Sequence, residues 1–188
     1  MTYSEALEEV AARVDALDAR RKAALFWLLG SGLLRRLHPP EVWARWANEA
    51  RTLGHRYVVS SEAEDGVVGL WERAQAPTGD DSSQLLNSTV ICLSTPLGLA
   101  AGRCVSVGAW LEHALLPLIQ QESLRLFDDI AFPDDDDLEQ VFNQFAVQQA
   151  FAFCRSVLDR LEGLTGAPGA GLLEELLSDA ARVAPWDA

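Results

Sequence analysis

Basic side chains are scarce in this chain. Fifteen Lys and Arg stand against 28 Asp and Glu, a formal charge of −13 over 188 residues. Such a field repels nucleic acid and an anionic membrane surface, and it draws in a basic protein and speeds its association. Cysteine is nearly missing too. Cys92, Cys104 and Cys154 are odd in number, far apart and set in apolar surroundings such as TVICLS and FAFCRS, which excludes a disulfide framework and predicts buried, reduced thiols. The opening MTYSEALEEV has acids where a secretory leader needs a basic and then an apolar stretch, so the expected compartment is the cytoplasm. A run fit to span a membrane is also lacking. The 21 residues between Asp81 and Arg103 are uncharged, but their Ser, Thr, Gln, Asn, Pro and Gly predict a pair of buried core helices instead.

The familiar reaction signatures are absent as well. There is no GxSxG, P-loop or dinucleotide fingerprint, and the glycines of GAPGAG have the wrong spacing and follow no strand. No HExxH occurs, and His38, His55 and His113 each lack the Glu three residues earlier that a carboxylate-bridged di-metal bundle uses. Glu112 and His113 are neighbours on a helix and point about 100° apart, so a surface or core-edge histidine is the expected reading. The sequence therefore calls for no cofactor, no metal and no catalytic residue. An enzyme would need Glu112, His113, Glu122 or a cysteine to meet in one cleft.

What is present is a globular balance of 49% apolar and 23% charged residues, expected to fold as one all-α domain. Thr2 and Glu5 have capping-box spacing ahead of Leu7, Val10, Val14 and Leu17, which share one helical face. Asp18 caps a second helix whose centre, AALFWLLGSGLLRRL, is apolar nearly all round, the pattern of a helix surrounded by others. His38-Pro39-Pro40 stops it. A third helix carries Val42, Trp43, Trp46, Ala50 and Leu53 and ends at Gly54, followed by RYVVSS as an extended connection. A short helix surrounds Val67, Leu70 and Trp71, and Asp80 to Ser83 cap the apolar segment beyond, which Pro96 and the glycines at 98, 102 and 108 divide. The next helix runs from Ala109 to Phe127. In the late helix Leu138, Val141, Phe142, Phe145, Gln149 and Ala152 share a face that continues to Gly163. The domain reading is a bundle of seven or eight helices over 1–162, a Gly/Pro joint over 163–171, and an amphipathic C-terminal helix over 172–188. That last helix docks on the bundle or serves as an arm.

Charge is uneven along the chain. Residues 1–56 hold nine basic and seven acidic side chains, net +2, whereas residues 57–188 hold six and 21, net −15. The densest acid lies in FDDIAFPDDDDLEQVFNQF, residues 127–145. An EF-hand loop needs a glycine at its sixth position, which this stretch lacks. Pro133 followed by an N-cap at Asp136 or Asp137, with Glu139 or Gln140 after it, fits a helix start. Four adjacent aspartates exceed what capping requires and repel one another. Three readings remain: a solvated helix start, a weak divalent-cation site, and a docking patch for Arg or Lys of a protein partner formed by Asp128, Asp129, Asp134, Asp135, Asp136 and Asp137. Six tryptophans allow interface anchors, but Trp43, Trp46 and Trp71 at helical spacing are read as core. Trp186 has little chain left to bury it.

The order of a short helix, an apolar helix ending in LLRRLHPPEVWARW, and a later GVVGLWERA resembles the YjaG-like family of bacterial helical proteins, as does EQVFNQFAVQQAFAFCRSVLDRLEG. The GAPGAG joint and the helix after it depart from that pattern. The resemblance implies an all-α fold and assigns no activity. The function expected from charge and composition is a non-enzymatic acidic protein-binding protein of immunity type, which neutralises a basic toxin or enzyme by presenting carboxylates to its cationic active site. The alternative is a helical small-molecule or lipid-binding regulator with its pocket along residues 85–116, and an enzyme is third.

Overall fold

A computed structural model describes residues 1–37, 39, 41–61, 66–74, 84–104, 106–127 and 135–186, the side chains of Val42 and Asp135 apart. Among them are nine α-helices and no strand: α1 Tyr3–Ala16, α2 Ala19–Arg36, α3 Glu41–Ser60, α4 Val67–Ala74, α5 Gln84–Ala100, α6 Leu111–Phe127, α7 Asp135–Phe142, α8 Phe145–Glu162 and α9 Ala170–Ala180. A 3-10 turn, Gly108–Trp110, leads into α6. The protein is an all-α, single-domain bundle.

The bundle is built around α2, which touches α3, α5, α6, α8 and α9. Every residue from Lys22 to Leu33 is buried, as expected of a helix apolar on all sides. Its GSG centre permits close neighbours. A Cβ on Gly30 would sit 2.9 Å from Leu93 of α5, and one on Gly32 would sit 2.8 Å from Trp186. On the other side Trp46, Ala47, Leu70, Val90 and Leu97 form a second apolar cluster among α3, α4 and α5.

Three expectations need correction. Helix α3 does not stop at Gly54 but runs to Ser60, so RYVVSS is helical rather than extended up to its last residue, Ser61. Gly54 serves close packing there, since a Cβ would meet Pro96 at 3.2 Å and Trp27 at 3.3 Å. The true end is capped by Arg20, which donates to the carbonyls of Val58 and Val59 at 2.6 Å each. Pro96 does not divide its segment: α5 passes through it to Ala100, and Gly102, with a φ of 66°, lies in the turn that follows. The late helix is two helices, broken at Asn143-Gln144. Side chains stabilise that break: Asn143 donates to the Glu139 carbonyl at 2.8 Å and Gln148 to that of Phe142 at 2.7 Å.

Ionic staples fasten the outer helices. Arg13 of α1 bonds Asp159 at 2.6 Å and Glu162 at 2.8 Å, and Arg155 of α8 bonds Glu9 at 2.5 Å. Arg21 reaches the Leu164 carbonyl at 2.6 Å and holds the Gly/Pro joint against α2. Helix α9 lays Leu173, Leu176 and Ala180 on the bundle, and its approach brings Arg35 within 3.2 Å of the Leu177 carbonyl.

Asp15 ties α1 to the α5–α6 connection. Its carboxylate accepts from the Ser106 hydroxyl at 2.7 Å and from the Val107 and Gly108 amides at 2.8 and 2.9 Å, with Lys22 Nζ 4.0 Å away. Burial pushes this carboxyl up, but the hydrogen bonds and Lys22 outweigh it and leave it below its ordinary 3.8. A carboxyl lowered by folding stabilises above its unfolded pKa and ceases to do so as pH falls through the folded one. Asp15→Asn is thus expected to lower the melting temperature at pH 7. The gap from the native protein should close as the pH is taken to the acid side of 3.8. A gap that stays constant with pH would contradict the assignment.

Candidate functional site

The acidic stretch meets the body of the protein at the start of α7. Asp128, Asp129 and Asp134 lie outside the described residues, as does the side chain of Asp135. Asp136 is exposed and Asp137 half-buried. The N-cap is not Asp136 or Asp137, because α7 already begins at Asp135 and both sit in its first turn. In that turn their charge faces the positive end of the helix dipole.

Glu139 has a structural duty different from capping its own helix. Its Oε1 accepts from the Tyr3 amide at 2.8 Å, which docks the start of α1 on α7. Beneath lies an aromatic triad, with the rings of Tyr3, Phe142 and Phe151 meeting edge to face at centroid distances of 5.4 to 6.0 Å. The Tyr3 hydroxyl donates to Glu112 at 3.4 Å; burial and then that carboxylate's charge push its pKa up. Nearby, Arg125 of α6 bonds the buried Glu122 at 2.8 Å and Gln144 at 2.7 Å, linking the end of α6 to the start of α8. The acidic helix α7 therefore rests on a packed platform.

On this platform Phe145 is 76% exposed, and Leu124 and Leu126 of α6 are also exposed. The sequence placed Phe145 in the core with Phe142, but the break at Asn143-Gln144 resets the helical phase and turns it to solvent. Exposed aromatic and aliphatic side chains on helices that also carry an acidic start have the composition of a protein-docking surface. Asn143, a common turn residue inside an otherwise periodic run, was the available signal.

The other candidates separate. Glu112 pairs with Tyr3 and Glu122 with Arg125, while Cys92 and Cys154 lie fully buried and Cys104 is half-buried. Burial raises all three thiols, Cys154 to about 12. His55 packs on Trp27 with centroids 5.2 Å apart. His113 is half-buried on α6, and His38 lies outside the described residues. Among the described residues no cluster of three or more His, Cys, Asp or Glu is placed to hold a metal ion. Trp46 is buried and donates to the Leu70 carbonyl at 3.1 Å. Trp43, half-buried, stands edge-on to it at 5.8 Å, and half-buried Trp71 packs on the same apolar cluster. Trp186, with so little chain after it, is nonetheless fully buried.

No family model and no curated protein matches the chain. Among solved structures, a DUF416 family protein from Shewanella baltica OS155 is similar in fold. The TM-score is 0.63, at 15% sequence identity, covering 90% of this chain and 91% of that one. The likeness shows the fold alone, an all-α bundle that this bacterial protein shares. No described helix is long and apolar enough to cross a membrane.

Proposed function

We propose that this is a non-enzymatic, acidic protein-binding protein whose docking surface is the α6–α7–α8 end. One observation carries the reading: Phe145 stands 76% exposed three residues beyond the end of a helix that begins in aspartate. Carboxylates steer a cationic partner into register, and a solvent-facing aromatic supplies the area that then holds it. The distribution of basic side chains supports the same view. Arg13, Arg155 and Arg160 pair with carboxylates of neighbouring helices, and Arg20, Arg21 and Arg35 bond main-chain carbonyls, which leaves fewer cations free to offset the acidic excess. The finer form of the proposal is an immunity-type neutraliser of a basic toxin or enzyme, acting in the cytoplasm of a bacterium. The YjaG-like kinship belongs to the same proposal and rests on the motifs quoted above.

The regulator reading has less support where the sequence put it. Leu93, Leu97, Leu111 and Leu115, within residues 85–116, are at most 1% exposed and packed against neighbouring helices. The docking proposal is tested by affinity capture at low and moderate salt. The native chain is compared with a variant in which Asp134, Asp135, Asp136 and Asp137 are all changed to Asn. A single basic protein retained stoichiometrically by the native chain, weakened by salt and lost at least tenfold in the variant, is the expected result. Identical capture by both forms would contradict it.

A further inference from the structure

The exposed ring of Phe145 stands where the local sequence argues against it. Leu138, Val141, Phe142 and Phe145 have the spacing of one helical face, and an unbroken helix would carry Phe145 round to the side of Val141 and Phe142. The backbone leaves that path at Gln144, which is extended at φ −68° and ψ 140°. Its amide closes α7 on the Val141 carbonyl at 3.0 Å, and its carbonyl opens α8 by accepting from the Gln148 amide at 3.0 Å. Glutamine is not among the residues that favour such a cap, and the Gln144 side chain makes no capping bond to its own helix.

That side chain reaches outside α8 instead. Its Oε1 accepts from Arg125 Nη2 of α6 at 2.7 Å, and its Nε2 donates to the Gln140 carbonyl of α7 at 3.1 Å. Arg125 is anchored in turn. Its Nε donates to the Glu122 carboxylate at 2.8 Å, and the Glu122 side chain is only 8% exposed. Separating a guanidinium from a buried carboxylate is costly, so Arg125 meets Gln144 from a fixed origin. We propose that Arg125 is the positioning residue of the docking surface: tied to Glu122, it holds Gln144 extended and so keeps Phe145 turned to solvent. Its bearing on partner binding rests on the docking reading above, whereas the orientation of the ring is a property of the free chain.

That orientation is read from the full chain carrying 4-fluorophenylalanine in place of Phe145, through the relaxation of its fluorine resonance by a water-soluble gadolinium chelate. Arg125→Gln removes the guanidinium. Gln144→Ala cuts the clamp on its other side and leaves the Arg125–Glu122 pair in place, so it decides the matter if loss of the pair unfolds the chain. Arg13→Gln, which removes an ionic staple between α1 and α8, is the control for lost stability alone. The native chain and Arg13→Gln should give the same strong relaxation. In both clamp variants it should be about twofold weaker, as when half the population turns the ring inward. Native relaxation in Gln144→Ala overturns the proposal, and so does an equal decrease in Arg13→Gln. Affinity capture with the same variants is a separate readout: a native chain that captures no basic protein counts against docking, while the fluorine signal decides the role of Arg125.

Discussion

Replacing Trp186 with alanine should destabilise the protein by about 3–5 kcal/mol, the usual range for truncating a fully buried Trp. For a chain of this size that lowers the melting temperature by roughly 10 °C. The reason lies in where a residue so near the end of the sequence has gone. Trp186 is 0% exposed, its ring 5.3 Å from that of Phe153 between centroids, and its side chain fills the space that Gly32 leaves on α2. Arg36 holds the same segment through the Pro185 carbonyl at 2.9 Å. Removing the indole opens a cavity between α2, α8 and the terminal turns, and the undocking of α9 should follow. The indole N–H has no hydrogen-bond partner among the described residues. Trp186→Phe should therefore cost less than half as much, since it removes no hydrogen bond and keeps most of the apolar contact. Urea unfolding of the two variants checks both statements. Equal losses would mean that the N–H matters more than the packing.

Gly108→Ala should cost about 3 kcal/mol, the upper part of the range for overpacking. A methyl group there collides with the carbonyl oxygen of Ala11 and comes within 3.0 Å of the Asp15 carboxyl carbon. The obstacle is helix backbone, not the end of a flexible side chain, so α1 itself must move, and the Asp15 hydrogen bonds to Val107 and Gly108 must stretch with it. Gly69 provides the contrast. It lies inside α4 with nothing within 4 Å of an added Cβ, so Gly69→Ala should stabilise by about 0.5–1 kcal/mol through helix propensity alone. Thermal or urea unfolding of this pair separates close packing from backbone freedom. Two changes of the same sign would contradict the packing account.

The helices legible in the sequence are those with a strong local cause. Thr2 and Glu5 form the capping box their spacing implies: the Glu5 amide donates to Thr2 at 3.2 Å and Glu5 accepts from the Thr2 amide at 2.7 Å. The apolar second helix is central because no face of it suits water. What the sequence misplaced depends on distant partners. Nothing local reveals that Arg20, more than thirty residues away, caps the end of α3, or that Gly54 is small for the sake of Pro96 and Trp27. The acidic run was visible as composition, but the exposure of Phe145 was not. A two-residue break was enough to rotate the following helix out of the phase that Val141 and Phe142 set.

The most direct test of the docking account is site-specific photocrosslinking in cells of the source organism. A benzophenone amino acid is placed at position 145 in one protein and, as a control, at Glu174, exposed on α9. The account predicts one discrete adduct with a basic protein from position 145 and none from position 174. The position 145 adduct should vanish when Asp134 to Asp137 are changed to Asn. The same adducts from both positions, or none from position 145, would contradict it.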